Sequence, residues 1–183
     1  MKIGILPIGQ IAPRVLFELG HGLANVFPDT VASVLKEVLP IPESSYDRKR
    51  KQYNSSLILA TIRSFAAKKR EFDRFLGVVE VDIFSSGLNY VFGEAFAPGP
   101  VGLISLCRLK PQFYSESSNE YVFMWRVMKE AVHEIGHTLG LQHCPRSLCV
   151  MHFSNSIFDT DRKQSLLCGQ CYFQAAIAVG NLG

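Results

Sequence analysis

No apolar run in this 183-residue chain approaches the ~20 residues that cross a bilayer. A membrane-spanning helix is therefore not expected. No internal repeat and no low-complexity stretch is present, which sets aside repeat arrays and linker-like segments. The first residues, MKIGILPIGQIAPRV, carry one lysine and a short apolar run broken by Pro7 and Pro13. They lack the layout of a secretory leader and read as a first buried strand, so a cytoplasmic protein is expected. Charge of one sign is also scarce, with a formal net value of +3. The runs Arg48-Lys49-Arg50-Lys51 and Lys68-Lys69-Arg70 flank a helical segment and read as solvated faces, so a nucleic-acid partner is not expected. What remains is 48% hydrophobic and 19% charged, the composition of a globular chain long enough for one sizeable core.

Cysteine is sparse and odd in number, five in all. Four of them, Cys144, Cys149, Cys168 and Cys171, crowd the C-terminal end as C-x4-C and C-x2-C. In a reducing compartment that grouping favours a metal over disulfides. Four thiolates would close a tetrahedral zinc site with no open position, a structural role. Cys107 lies in the apolar run VGLISLCRL and reads as a buried small hydrophobe. His21 follows a glycine in an amphipathic stretch and reads as structural or surface.

The most informative string is HEIGHTLGLQH, His133 to His143. Its histidines fall at i, i+4 and i+10. Residues four apart share one helix face, so His133 and His137 can address one metal. Glu134 lies one position round the helix, within reach of a metal-bound water but not a ligand. Gly140 lets the chain leave the helix and return His143 as a third ligand. Three protein ligands leave the fourth position of a tetrahedral zinc open, as in catalytic sites. With average residue usage such a pattern arises by chance in a chain of this length on the order of once in 10^5.

The extended zinc motif followed by Met151 marks the metzincin metalloproteases. The run HCPRSLCVM, and CGQC after it, resembles the archaemetzincins more closely, whose motif adds four cysteines around that methionine. The likeness is specific from about Val132 to Cys171. The stretch between Met151 and Cys168 is one residue shorter than the family pattern, which bears on a loop and not on the ligands. The resemblance implies an α/β (α+β) fold, a metzincin-like mixed twisted sheet with packed helices and a small C-terminal subdomain. Residues 1–143 would form an upper part with the active-site helix. Residues 144–183 would form a lower part with the methionine turn and the four-cysteine zinc. Met151 would pack beneath the histidines as a hydrophobic floor. Two zinc ions per chain are implied, one catalytic and one structural.

The chemistry expected is zinc-assisted amide hydrolysis, with Glu134 first as general base and then as acid. The substrate class is peptide or protein, acted on by an aminopeptidase or oligopeptide protease. The alternative is a latent or inactive zinc-stabilised peptide-binding module, against which the intact Glu134 argues.

Periodicity predicts strands over 2–9, 31–41, 75–84, 89–97 and 101–109. It predicts helices over 11–26, 47–70 and 119–139, and a last helix from near Gly169 through AAIAV. The helix over 47–70 is expected to align Tyr53, Leu57, Ala60, Ser64 and Ala67. The strand over 89–97 contains Gly93 and runs into Pro98, which suits a sheet edge. By resemblance it is the edge along which a substrate peptide lies extended. Glu94 on that edge could recognise a substrate N-terminus or could simply keep the edge soluble.

Overall fold

The computed structural model describes residues 1–182. Its main sheet has five strands in the order β2 (Val31–Val34), β1 (Lys2–Pro7), β5 (Arg74–Val79), β8 (Val101–Ser105), β7 (Gly93–Ala95). The first four are mutually parallel, and β7 alone pairs antiparallel, on β8. The central strands β1, β5 and β8 are buried almost throughout because both faces of the sheet are covered. On one face Ile3, Ile5, Leu76, Val78 and Ile104 meet α1 (Pro13–Val26) and α3 (Glu120–Thr138). On the other, Leu6, Ile8, Phe75, Val79, Val101 and Leu103 meet α2 (Ser55–Ala66). This is the mixed sheet with packed helices that the sequence led one to expect.

The helices start where local chemistry lets them. Pro13 opens α1, where its missing N–H costs nothing. The side chains of Asn54 and Asn119 accept from the N–H groups of Leu57 (3.2 Å) and Val122 (3.1 Å), capping α2 and α3. No strand occurs among residues 144–182. The helices α4 (Ile157–Arg162) and α5 (Gly169–Gly180) lie there, and Val150, Met151, Ile157, Ala175 and Val179 join the same apolar cluster as α1 and α3.

Several boundaries differ from the expected ones. Residues 47–54 are not helical. The strands β3 (Tyr46–Asp47) and β4 (Gln52–Asn54) pair antiparallel, and β6 (Ile83–Phe84) joins β4 in a second, three-stranded sheet. The basic run Arg48–Lys51 is the exposed turn between β3 and β4. The buried face of α2 is Ser55, Ile58, Leu59, Ile62 and Ala66, while Leu57 is 44% exposed. That face wins because its two isoleucines and leucine bring more apolar area to the sheet than Ala60, Ser64 and Ala67 could. The expected strand over 75–84 breaks at Glu80–Asp82 and its end leaves for the second sheet. Beyond Val34 the run 31–41 makes a single parallel bridge, Leu39 to Ile8. Cys107 lies in a short 3-10 turn after β8 and is half-buried rather than fully buried. His21 is exposed and packs on Phe17.

Candidate functional site

The helix α3 carries two of the three histidines, and its end is built to return the third. Gly140 takes a left-handed conformation, φ 89°. Its N–H donates to His137 O at 2.9 Å, and that of Leu141 to Gly136 O at 3.1 Å. This double closure is the Schellman helix end, and a side chain at Gly140 would be strained there. The chain then doubles back and brings His143 to the other two. One ring nitrogen from each of His133, His137 and His143 lies within 4.8 Å of the others. Exposure grades from buried His133 through half-buried His137 to exposed His143, so the trio opens on one side to solvent.

The protonation pattern suits a metal. His133 Nδ1 lies 2.8 Å from Val150 O, and His137 Nδ1 lies 2.8 Å from Leu141 O. A carbonyl only accepts, so each Nδ1 carries the proton and each Nε2 presents a lone pair. Those two Nε2 atoms are 3.1 Å apart. Two lone pairs facing at that distance repel unless a cation shares them, so the donor set fits zinc and fits badly without it. Burial lowers all three imidazoles from their ordinary value, His133 furthest, with the nearby Lys163 ammonium adding to the effect. The neutral form is the ligand form. Among the described residues, no carboxylate, thiol or fourth imidazole joins the trio.

Glu134 is 4% exposed and faces β7 and β8. Burial, then the Glu130 carboxylate, raises its pKa well above the ordinary value, while a cation at the histidines would pull the other way. Space for the carboxylate depends on a glycine: a Cβ at Gly93 would come within 2.6 Å of Glu134 Cγ and Oε1. Beside Gly136 of α3, Met151 is fully buried, and a Cβ at that glycine would lie 2.4 Å from its Sδ.

The four cysteines also converge, with every Sγ within 4.8 Å of the others and no disulfide among them. The shorter loop before Cys168 does not keep them apart. The Cys171 N–H at the start of α5 pulls the Cys168 thiol down to about 6, whereas burial pushes Cys149 and Cys171 up. Four soft donors with this closure fit a structural zinc. The two clusters are joined by backbone as well as by sequence. Val150, whose carbonyl accepts from His133, lies between Cys149 and Met151, and Cys144 N donates to Met151 O at 2.9 Å.

The histidines and Glu134 line a cleft of about 420 Å3 with β7 on one side and Phe153–Asn155 on the other. Glu94 also lines this cleft, with its carboxylate engaged by α2. The alternation of β7 sends Gly93 towards Glu134 and Glu94 towards α2, where Ser56 donates to it at 2.8 Å and Ser55 also bonds it. Its carboxylate fastens the edge strand to a helix N-terminus.

Three residues of the cleft lie outside the motif, Gly93 and the pair Glu130–Lys163, and the contact of Gly136 with Met151 is not apparent from the motif that contains it. Lys163 Nζ is 3.1 Å from Glu130 Oε1, and both side chains are almost wholly buried. Thr160 Oγ1 adds a bond to Glu130 at 3.2 Å. The spacing of Glu130 one turn before Glu134 was visible, but its partner lies 33 residues away in sequence.

A profile described as peptidase family M54 matches residues 38–175. The archaemetzincin of Methanocaldococcus jannaschii is 44% identical over 174 residues, covering 93% of this chain and 90% of that protein. That of Pyrococcus furiosus is 41% identical over 170 residues, covering 91% and 88%. The crystal structure of archaemetzincin from Methanopyrus kandleri superposes with a TM-score of 0.86 at 31% identity, covering 98% of this chain and 96% of that one.

Proposed function

This chain belongs to peptidase family M54, whose members are zinc metallopeptidases, and from that premise we propose that it hydrolyses oligopeptides laid along the open edge of β7. His133, His137 and His143 would hold the catalytic zinc, and Cys144, Cys149, Cys168 and Cys171 a structural one. When bound, the catalytic zinc supplies a Lewis acid that polarises the scissile carbonyl and acidifies water. Glu134 takes the proton from the attacking water and delivers it to the leaving amine. Gly93, lacking a Cβ, leaves free the space that this carboxylate occupies. Met151 packs beneath the ligand helix and keeps the floor dry. Residues 1–143 would form the upper part and residues 144–183 the lower part that the structural zinc holds together, with the cleft between them. Five unpaired cysteines suit a reducing, cytoplasmic setting.

The single observation that carries the proposal is the pair of Nε2 lone pairs 3.1 Å apart beside a buried carboxylate. Among the described residues no fourth histidine, cysteine or carboxylate joins the three histidines, which weighs against a site blocked by such a side chain. The bonds from Ser55 and Ser56 to Glu94 favour general oligopeptide cleavage over an aminopeptidase that anchors the substrate amine on Glu94. Cleavage of an unbiased peptide library by the zinc-loaded protein tests the proposal, with Glu134→Ala as control. That variant should lose about 10^2–10^4 in rate and keep its zinc by metal analysis. Loss of zinc together with activity would make Glu134 a ligand and refute the proton-transfer role.

A further inference from the structure

The open edge of β7 is short, and it ends abruptly at one side. Ser105 N donates to Phe92 O at 2.8 Å and Phe96 N to Val101 O at 3.0 Å. In an antiparallel ladder this parity turns Phe92, Glu94 and Phe96 inward to β8. Gly93 and Ala95 therefore present their N–H and C=O groups outward. The next outward residue upstream is Val91, and its N–H is already given to Ile83 O at 3.1 Å, in the second sheet. One residue further, Tyr90 reaches across the cleft, and its hydroxyl donates to Asn155 O at 2.9 Å. Its ring is held from behind by the Arg108 guanidinium, 4.1 Å from the ring centroid, and Arg108 is fixed by both oxygens of Asp82 at 2.6 and 2.8 Å. The ladder thus ends next to the Tyr90–Asn155 bond, while Ser85, Leu88 and Asn89 also line the cleft.

We propose that the Tyr90–Asn155 bridge is a strap across the cleft that limits how many substrate residues can follow the scissile bond. The proposal rests on the peptidase assignment above. Glu134 abuts Gly93, so the bond to be cut lies level with that residue. A peptide added to an edge pairs best antiparallel. Its chain after the scissile bond then runs from Gly93 towards Tyr90. Three residues at ~3.3 Å each span roughly 10 Å before the strap is met. The protein should accordingly prefer short oligopeptides whose free C-terminus lies within about three residues of the cleaved bond.

Equilibrium binding to zinc-loaded Glu134→Ala protein reads the strap without needing turnover. The probe is a short fluorescent peptide, extended by a Gly-Ser tail at its C-terminus or at its N-terminus. The C-terminal tail should weaken binding about tenfold, a modest steric penalty on this scale, and the N-terminal tail should change little. Adding Tyr90→Ala should close the gap between tailed and untailed peptides. Tyr90→Phe, which keeps the ring packed and removes only the bond to Asn155, should narrow it in part. Equal binding of both tailed peptides, a penalty on the N-terminal tail instead, or a gap that survives Tyr90→Ala would each overturn the strap. If the expected binding pattern appears but the parent protein cuts none of these peptides, the catalytic assignment fails and the strap stands.

Discussion

At the scale of single residues, two glycines shape the candidate site together with the histidines. A Cβ at Gly136 would meet the end of a methionine, and one at Gly93 would meet the Glu134 carboxylate and, at 2.7 Å, the Leu103 carbonyl. A methionine tip can move, but a strand carbonyl cannot. Gly136→Ala should therefore cost ~1–3 kcal/mol, the usual range for overpacking, read as a lower denaturation midpoint with activity largely kept. In Gly93→Ala the added methyl can be relieved only by moving β7 or Glu134. A displaced proton-transfer group costs about 10^2 in rate, so kcat should fall on that order while zinc content stays the same. A Gly93→Ala protein with normal kcat would show that Glu134 has slack at this contact. The three histidines and Glu134 were legible because one helix and one turn bring them together. The glycines were not, since what makes them necessary is a neighbour from a distant segment.

At the scale of elements, α3 is more than a ligand rod. Arg126, Lys129 and Glu130, one and two turns before the histidines, are all buried and all grip α4 or the residue that ends it. Arg126 holds both oxygens of Asp161 at 2.7 Å, and Lys129 Nζ donates to the carbonyls of Thr160 (2.9 Å) and Asp161 (3.0 Å). Glu130 takes Lys163. Lys163→Met should destabilise by ~3–5 kcal/mol, because it leaves the Glu130 carboxylate buried without a partner. Adding Glu130→Leu should recover much of that loss, since removing both charges is far milder than removing one. Chemical denaturation of the single and double variants checks this, and a double variant no more stable than Lys163→Met would refute it. A six-residue helix such as α4 carries too few positions for periodicity to register, which is why it was not foreseen. Where the pattern was long, over α1, α3 and α5, the elements lie close to their expected positions. The stretch 47–54 misled because a polar, basic turn preceding a true helix continues a helical pattern that only the Asn54 cap interrupts.

At the scale of the whole molecule, the expected second metal site and the cleft share backbone. The Val150 carbonyl orients His133, and Val150 is flanked by Cys149 and Met151; Cys144 follows His143 directly. His152 adds a further tie, its Nδ1 2.8 Å from Cys144 O. Metal analysis should find close to two zinc ions per chain. A mild chelator should strip the three-histidine site first, because a closed four-thiolate site has no exchangeable position. Cys168→Ser or Cys171→Ser removes one thiolate from a site whose binding energy is folding energy. Both residues stand at the start of α5, so that helix should loosen first, with early proteolysis beyond Met151 and a lower Tm. The loosening should then pass through Val150 and Cys144 to the ring orientation of His133 and the position of His143. Weaker affinity for the zinc at the histidines is therefore expected in the same variant, measured by competition with a chelator. A cysteine variant that loses one zinc yet holds the other with unchanged affinity would show that the shared backbone does not couple the two sites.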